Sequence, residues 1–512
     1  MELSTLEVEF RNQRLAHLEA LKAAGQRPYG RAFERTGSLA EIRAAFEEGK
    51  TVRAAGRLVA IRLMGKSLFA HLQDGTGRFQ IYVQKNAIGD DSFEAFKHVD
   101  LGDFIGVEGS FFSTKTGEPT LRVATWELLS KALLPLPGKW HGLQDMELRY
   151  RQRYLDLVAN PDVRKVFDAR SRILSFCRRF LEDKGFFEVE TPILQSLAGG
   201  ATANPFVTHY EALGQDVYMR IAPELYLKRL LVGGYDKVFE LGKDFRNEGL
   251  DRSHNPEFTV LEIYQAYGDC RTMMSLIEGL VSGAAQAVCG TMKLEPVAEG
   301  REAIDLTPPW RVVAYRDLVC EHLGAHWFER DVEDIRAWGR AQGLDLPAEM
   351  THAQITHEAY DKLIEKTLIQ PTFVTRIPYE QVPLAKRCED DPSVVDVYEL
   401  VVNGRELCPG YTELNDPIDQ RARLLEQAGG DESRLDEDFL CALEHGMPPA
   451  GGLGIGIDRL VMILTGSESI RDVMLFPQMK AMTIRAAGDT AETAEEAVPE
   501  DAPAATDSPE AR

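Results

Sequence analysis

The sequence has no run of about 18 apolar residues, and this absence predicts that no segment crosses a membrane. Its first residues, MELSTLEVEFRNQR, are acidic and polar, so no secretory signal peptide is expected. Of the 512 residues, 44% are hydrophobic and 27% are charged, which is ordinary for a soluble globular protein. A chain of this length is expected to form two or three domains, each with its own core.

Cysteine is scarce, and its positions form no CxxC pair. The seven cysteines are scattered at Cys177, Cys270, Cys289, Cys320, Cys388, Cys408 and Cys441. This pattern supports neither a disulfide framework nor a zinc site, and it predicts reduced thiols in a cytoplasmic protein.

Positive charge is in deficit, with 58 Lys and Arg against 81 Asp and Glu and a net charge of −23. Such a balance argues against a nucleic-acid partner for the chain as a whole. The deficit is uneven, however, because residues 51–137 are nearly balanced and residues 138–180 carry an excess of Lys and Arg. Only the first third of the chain is therefore expected to be able to bind a polyanion. Charge alone favours an ordinary surface of mixed charges in contact with water.

The spacing of apolar residues divides the first part of the chain in two. Residues 1–50 are predicted to be a helical extension, because LEVEFRNQRLAHLEALKAAG has helical spacing and stops at Gly25 and Pro28. Residues 51–135 change to a period of two, in the runs VRAAGRLVAIR, KSLFAHLQD, GRFQIYVQ, DFIGVEGSFF and PTLRVATWELL. Five short strands predict a closed barrel of the OB type. The strand count leaves open whether this barrel binds single-stranded nucleic acid or is purely structural.

The remainder reads as a linker, a long mixed segment and a tail. A pair of prolines predicts a linker at 136–160. Residues 161–480 alternate between strands and helices, with a mostly helical insertion that is poor in motifs at about 273–370. The tail, 486–512, is rich in Ala, Glu, Pro and Thr without an apolar period, which predicts disorder.

Two stretches place an arginine where an anion would fit. In FELGKDFRNEG, Arg246 ends a strand that precedes a second strand, SHNPEFTVLEIYQAY, and can fork onto a phosphate. In GGLGIGIDRLVMIL, Arg459 falls at a helix start, where a bound anion would relieve its conflict with the helix dipole. Taken alone, the first stretch favours a surface ion pair, and Gly-x-Gly is weak evidence for phosphate binding.

Together with ETPIL around Pro192, these stretches resemble the three signature motifs of the class II aminoacyl-tRNA synthetases. Further text is similar to the bacterial lysyl-tRNA synthetases over about residues 52–477: LQDGTGRFQIYV, HGLQDMELRYRQRYLDL, RIAPELYLKRL, HNPEFT, GRE…ELNDP and IRDVMLFP. The resemblance implies an α+β fold, in which an N-terminal OB-type β-barrel precedes a class II catalytic domain, an antiparallel sheet flanked by helices. It also implies activation of L-lysine with ATP, transfer to the 3′ end of tRNA(Lys), and a homodimer formed through the first motif.

The resemblance assigns ATP to residues around the second and third motifs. Arg246 would hold the α-phosphate and the substrate carboxylate, Glu248 would read adenine, and Phe258 would stack on it. Arg459 would anchor the γ-phosphate, and His254 would be a further phosphate contact. Such catalysis needs no side-chain nucleophile, because it consists of alignment and charge stabilisation.

The segment VYELVV-NG-RELC predicts a two-residue hairpin with Asn-Gly as its turn. The register set by this turn would place Leu400 opposite Leu407 and leave Glu399 and Glu406 as diagonal neighbours on one face. Two carboxylates near a polyphosphate suit Mg²⁺, which binds through one or two carboxylates, phosphate oxygens and water. The alternative is two glutamates on a wet sheet face, which their apolar flanks disfavour.

Glu413 lies seven residues after Glu406, so a regular strand would send it to the opposite face. A bulge at Pro409-Gly410 is predicted to return it. There, Glu413 would surround an ammonium group together with Glu262 and Tyr264, which share a face by the two-residue period.

The resemblance adds two residues to this lysine site and shows two departures. Gly200 and Glu224 match positions that meet the α-amino group. Pro409 stands where Asn is frequent and has no N–H to donate, so Arg246 would carry more of the binding of the substrate carboxylate. Tyr411 stands where Phe is frequent.

In the barrel, Phe69, Gln80 and Glu127 match positions that contact anticodon bases in the family. An aromatic ring for stacking and polar groups for base edges are what recognition of single-stranded RNA requires. Taken singly, Phe69 is more typical of a core residue.

Two alternatives share the catalytic motifs. A paralogue that lysylates a protein would be expected to lack the barrel. An RNA-binding protein without catalysis would tolerate loss of Arg246, Glu248, Arg459 or the paired glutamates, and all of these are present.

Overall fold

The structure is a computed structural model that describes residues 4–137, 143–296 and 302–480. Within them lie a five-stranded barrel and a larger α+β unit built on an eight-stranded sheet. The expected fold class is therefore confirmed. The segment predicted to be a disordered tail, 486–512, lies outside the described residues.

The barrel consists of β1 (Thr51–Met64), β2 (Ser67–Gln73), β3 (Arg78–Gln84), β4 (Phe104–Ser113) and β5 (Pro119–Ser130). It closes in the order β1-β2-β3-β5-β4, as the OB-type prediction requires. Alternate residues point inward, as Leu68, Ala70 and Leu72 of β2 do. The helices of this part are α1 (Thr5–Ala23), α2 (Leu39–Ala44), α3 (Lys85–Ile88) and α4 (Asp90–Phe96).

The stretch predicted to be a linker, 136–160, contains a packed pair of helices. These are α5 (Met146–Arg151) and α6 (Arg153–Ala159). Arg153 is buried and donates to Asp156 and to the backbone carbonyls of Arg471 and Met474. The linker prediction is wrong for these helices, because such contacts fasten them to the α+β unit.

The α+β unit alternates strands and helices. Its strands are β6 (Phe187–Glu188), β7 (Leu194–Gln195), β8 (Val207–Tyr210), β9 (Gln215–Met219), β10 (Lys237–Phe245), β11 (Glu257–Ala266), β12 (Lys293–Leu294), β13 (Ile304–Asp305), β14 (Arg311–Ala314), β15 (Thr372–Thr375), β16 (Val397–Val402), β17 (Arg405–Thr412) and β18 (Ala450–Gly456). Its helices are α7 (Val163–Glu182), α8 (Glu224–Val232), α9 (Cys270–Cys289), α10 (Tyr315–Leu323), α11 (Val332–Ala341), α12 (His352–Ala359), α13 (Pro417–Gln427), α14 (Glu437–Glu444), α15 (Ile457–Thr465) and α16 (Ile470–Val473). The main sheet has the order β14-β15-β16-β17-β18-β11-β10-β6, antiparallel except at its two edge pairs.

The predicted motifs occupy the centre of this sheet. The second motif lies at the end of β10 and leads into β11, and the third runs from β18 into α15. The two motifs lie side by side because β11 pairs with β18. This pairing places Glu262 opposite Gly454 and Tyr264 opposite Gly452. Residues far apart in the sequence therefore share one face of the sheet.

The long apolar helix α9 packs on the sheet and buries Met273, Ile277 and Leu280 in the main core. Within the described ranges it is the one helix that has the length and composition of a membrane span, and 44% of its apolar window is buried inside the protein. Further along, β14 pairs in parallel with β15. The helical insertion predicted at about 273–370 is therefore wrong in its bounds, because α9 and β14 both belong to the sheet and its covering layer.

Candidate active site

The hairpin of β16 and β17 positions three of the predicted glutamates. Its turn residues, Asn403 and Gly404, have positive φ angles of 56° and 69°, as a type I′ turn requires, so the Asn-Gly prediction is confirmed. Leu400, however, pairs with Cys408, and the predicted pairing of Leu400 with Leu407 is wrong. Leu407 is the extra residue of a bulge.

This bulge decides where Glu413 points. Because Leu407 has no partner residue, the seven residues from Glu406 to Glu413 advance the strand pairing by only six positions. Six is an even number, so Glu406 and Glu413 lie on the same face of the sheet. The bulge predicted at Pro409-Gly410 is therefore wrong in position, although its effect on Glu413 is as expected. The backbone of Glu406 accounts for the difference, because its N–H donates to the Glu365 carboxylate and its carbonyl accepts from Arg459.

Glu399 and Glu406 lie next to each other in a group of acids. Burial, followed by the charges of Glu406, Asp361 and Glu365, holds the pKa of Glu399 well above its usual range. Burial near other carboxylates also raises the pKa of Glu365 and that of Asp361, the latter to about 6. Desolvated acids in such a group are stabilised by a cation.

The predicted magnesium site fits this group. No set of three or more His, Cys, Asp or Glu side chains among the described residues has the geometry of a complete metal site. Mg²⁺ bound to Glu399 and Glu406 would therefore take its other ligands from phosphate oxygens and water, as this ion commonly does.

A second acidic group lies on the same face, where Glu262 and Tyr264 meet Glu413. The Tyr264 hydroxyl donates to Glu262 Oε2 at 3.1 Å. Burial, and then neighbouring carboxylates, raises the pKa of Glu262 well above its usual range. Glu413 is only 1% exposed, and burial raises its pKa to about 8. The structure thus brings together the three residues predicted to surround an ammonium group.

Two glycines of β18 that the sequence interpretation missed keep this pocket open. A Cβ atom at Gly452 would collide with Glu413 and Tyr264, and one at Gly454 would collide with the Glu262 carboxylate. The available signal was the alternation of glycines in GGLGIG, since residues two apart in a strand share a face.

Gly200 and Glu224 lie at the edge of the same pocket. Gly200 has a φ of +84°, and a Cβ there would lie 3.4 Å from Glu224 Cβ. Glu224 begins α8, and after burial its charge contributes most to the raised pKa of Glu262. The structure therefore places Gly200 beside Glu224 and Glu224 near Glu262, and their contact with an α-amino group stays a prediction.

A lysine of the chain itself, Lys228, contacts this acidic group. Its Nζ lies 2.7 Å from Glu224 Oε1 and 2.5 Å from Glu413 Oε2. The sequence interpretation missed Lys228, although its spacing of four residues from Glu224 on a helix predicts the first of these contacts.

Arg246 and Phe258 face each other beside the loop that joins β10 and β11. The guanidinium carbon of Arg246 lies 5.1 Å from the centre of the Phe258 ring, and its buried Nε has no hydrogen-bond partner among the described residues. Glu248 is exposed, as is His254, whose Nδ1 lies 2.7 Å from Asp251 Oδ2. A guanidinium with a free donor beside an aromatic ring suits a nucleotide phosphate and base.

Arg459 is the third residue of α15, so the predicted cation at a helix start is confirmed. Its guanidinium donates to the Glu406 carbonyl and therefore lies beside the acidic pair. The helix start is fixed by Asp458, which accepts from Arg170 at 2.6 Å and from the Thr259 N–H at 2.7 Å.

On the outer surface of the barrel, Phe69 belongs to a row of aromatic rings. The centre of its ring lies 4.7 Å from that of Tyr82, and the Tyr82 ring lies 5.7 Å from that of Phe112. Phe69 is partly exposed between inward-pointing Leu68 and Ala70. Phe69 therefore points away from the barrel core, as a stacking residue must.

The structure brings Gln80 close to Phe69 but not Glu127. Gln80 Nε2 donates to Thr120 Oγ1 at 2.8 Å, so Gln80 lies beside the start of β5. Glu127 lies seven residues further along β5, roughly 20 Å away along a strand. Grouping Glu127 with the other two is therefore wrong, and Glu118, just before β5, is the acidic residue at this end of the strand.

Comparison with known proteins covers both parts of the chain. Residues 145–480 match the family of tRNA synthetases class II (D, K and N), and residues 52–129 match an OB-fold nucleic acid binding domain. Lysine–tRNA ligase of Pelotomaculum thermopropionicum is 51% identical over 483 residues, covering 92% of this chain and 95% of that protein. Lysine–tRNA ligase of Bacillus subtilis (strain 168) is 50% identical over 479 residues, covering 90% of this chain and 95% of that protein. The chain therefore belongs to the class II tRNA synthetases and, among them, to the lysine–tRNA ligases.

Proposed function

We propose that the chain activates L-lysine with ATP and transfers the lysyl group to the 3′ end of tRNA(Lys). The observation that carries the choice of amino acid is the buried acidic group of Glu224, Glu262 and Glu413. These carboxylates attract the two ammonium groups of lysine and repel an acidic side chain. The ammonium groups of the bound substrate thereby compensate the charge of these carboxylates, which burial has removed from water.

In the first step, a carboxylate oxygen of lysine attacks the α-phosphorus of ATP. The bond to the bridging oxygen breaks, pyrophosphate leaves, and lysyl-adenylate forms. Arg246 binds the α-phosphate and the lysine carboxylate, so it stabilises the charge that develops between them. Phe258 stacks on adenine, Glu248 accepts from its exocyclic amine, and Arg459 binds the γ-phosphate with His254 as a further contact.

In the second step, a terminal ribose hydroxyl of tRNA attacks the lysyl carbonyl, and AMP leaves. Mg²⁺ held by Glu399 and Glu406 would supply charge neutralisation at the phosphates. These two residues would hold the ion beside Arg459, where it would neutralise the phosphates of ATP in the first step.

Exchange of pyrophosphate into ATP, measured with a panel of amino acids, tests this assignment. We expect fast exchange with lysine and much slower exchange with arginine, aspartate and asparagine. Exchange driven best by aspartate or asparagine would contradict the acidic pocket. Absence of exchange with every amino acid would favour the alternative of an RNA-binding protein without catalysis.

In the proposed function, the barrel binds the anticodon arm of tRNA. The row of Phe69, Tyr82 and Phe112 offers rings to unstacked bases, and Arg122 lies over Phe112 at 4.7 Å. A paralogue that lysylates a protein would have no use for this surface. The barrel thus favours tRNA as the acceptor.

Replacing Phe69 with Ala should weaken tRNA charging by about 1–3 kcal/mol, the usual contribution of one stacked base. Amino-acid activation should stay intact, because the barrel is separate from the pocket. Steady-state charging and pyrophosphate exchange measured on the same variant check this. Phe104→Ala is the matched control, since Phe104 is a partly exposed ring of the barrel outside the row. An equal loss of activation would show that Phe69 does not act through tRNA binding.

We also infer a homodimer in the cytoplasm. Large apolar residues are exposed around the first motif, at Phe187, Ile193, Leu194, Val207 and Leu213. Exposed apolar clusters of this kind mark protein interfaces. All seven cysteines are free, as a reducing compartment favours.

A further inference from the structure

Lys228 is a buried cation placed inside a pocket that the proposed function assigns to a substrate cation. Its side chain has no exposed area, and its Nζ lies between Glu224 and Glu413. The Leu384 carbonyl accepts from Nζ at 3.4 Å. An internal ammonium in this place competes with the substrate unless it has a different task.

Stability alone is a weak explanation for this arrangement. Burying an ion pair removes two charges from water, and apolar residues of similar volume are often as stabilising. The neighbouring Arg229 shows a different case, because it keeps 16% exposure and pairs with Asp436, which is not part of this acidic group.

The charges around the pocket suggest what that task is. Glu224, Glu262 and Glu413 carry three negative charges when ionised, and Lys228 offsets one of them. Two negative charges remain for the two ammonium groups of a lysine substrate, whose carboxylate faces Arg246. A pocket without Lys228 would keep one carboxylate without a cation after the substrate binds, and such a buried charge is unfavourable.

The geometry of Glu413 agrees with this division. Lys228 contacts Oε2, and neither carboxylate oxygen of Glu413 accepts a hydrogen bond of good geometry from the described residues. Oε1 occupies the space that a side chain at Gly452 would fill, and it is buried without a hydrogen-bond partner among the described residues. Oε2 is thus paired with a cation of the protein, and Oε1 is left without a partner.

We propose that Lys228 is a positioning residue for lysine specificity, which anchors Glu413 through Oε2 so that Oε1 receives the side-chain ammonium of the substrate. Lys228 also balances the third carboxylate of the pocket, so that a dibasic amino acid leaves no charge unpaired. This inference rests on the proposed function.

The positioning role of Lys228 is tested by the kinetics of pyrophosphate exchange with the full-length chain. The variant is Lys228→Met, which keeps the length of the side chain and removes its charge. KM for lysine should rise about 10- to 100-fold, the range of coupling between contacting charges, while KM for ATP stays within about twofold. Arg229→Met, which removes the adjacent cation of the same helix, should leave both constants unchanged. An unchanged KM for lysine in Lys228→Met overturns the inference, as does an equal rise in both constants.

A double variant separates positioning from folding. If Lys228 acts through Glu413, adding Lys228→Met to Glu413→Gln should change KM for lysine by less than about threefold relative to Glu413→Gln alone. A further tenfold rise would overturn the inference. This comparison also decides the case if Lys228→Met alone fails to fold, because the double variant removes the buried cation and one of its two anions together. Failure of the unaltered chain to use lysine would instead refute the proposed function.

Discussion

Replacing Glu413 with Gln should lower kcat/KM for lysine in pyrophosphate exchange by about 10²- to 10⁴-fold. Glu413 is buried on the face that it shares with Glu262 and Tyr264, so water cannot replace its charge. Removing one partner of a well-buried ion pair costs roughly 3–5 kcal/mol, because the other charge is left without compensation. Gln keeps the shape and some of the hydrogen bonding, so the variant changes mainly the charge.

The pH dependence of lysine binding gives a second signature of Glu413. Burial raises the pKa of Glu413 to about 8 in the free protein, whereas an ammonium group binds the ionised carboxylate. Binding below that pKa therefore releases a proton, and the affinity for lysine should rise as the pH increases from about 6 to about 8. Calorimetry in buffers of different ionisation enthalpy should show fewer protons released by Glu413→Gln.

KM for ATP is the internal control for this variant and should change little. If Glu413→Gln activates lysine at nearly the normal rate, the carboxylate does not face the substrate. The position of the bulge at Leu407 would then have no consequence for specificity.

Features that depend on neighbouring residues could be predicted from the sequence. The barrel follows from alternation in five runs, and the β16–β17 turn follows from Asn403-Gly404, which tolerate positive φ. The shared face of Glu262 and Tyr264 follows from the two-residue period alone. Local stereochemistry is enough in each of these cases.

Features that depend on distant residues could not be predicted in this way. The bulge is at Leu407 because Glu365 and Arg459 bind the backbone of Glu406, and neither is near it in the sequence. Lys228 likewise meets Glu413 only after the strands that precede Glu413 join the sheet. The misplaced Glu127 has the same cause, since the pairing of β3 with β5 decides which residue of β5 lies near Gln80.

Replacing Glu399 with Gln should damage the use of ATP and Mg²⁺ rather than the use of lysine. Glu399 lies among Glu406, Asp361 and Glu365, and loss of its charge weakens the attraction of this group for a cation. A metal at the phosphates contributes several kcal/mol to stabilising the transition state, so exchange should slow by about 10²-fold at a fixed Mg²⁺ concentration. The rate measured against free Mg²⁺ at saturating lysine should show a higher half-saturation, with KM for lysine almost unchanged.

Direct binding of Mn²⁺ in the presence of a non-hydrolysable ATP analogue, followed by electron paramagnetic resonance, measures the same site without turnover. Tyr360→Phe is the matched control, because its hydroxyl lies 3.4 Å from Glu399 Oε2 and its loss leaves the carboxylate charge in place.

In the ATP complex, Mg²⁺ should lie about 2.0–2.1 Å from oxygens of Glu399 and Glu406, directly or with one through water. Glu399 and Glu413 share a face but belong to different acidic groups. Glu399→Gln should therefore impair the use of ATP, and Glu413→Gln should impair the use of lysine. Mg²⁺ dependence unchanged by Glu399→Gln would place the metal elsewhere and leave these acids without the cation that their burial requires.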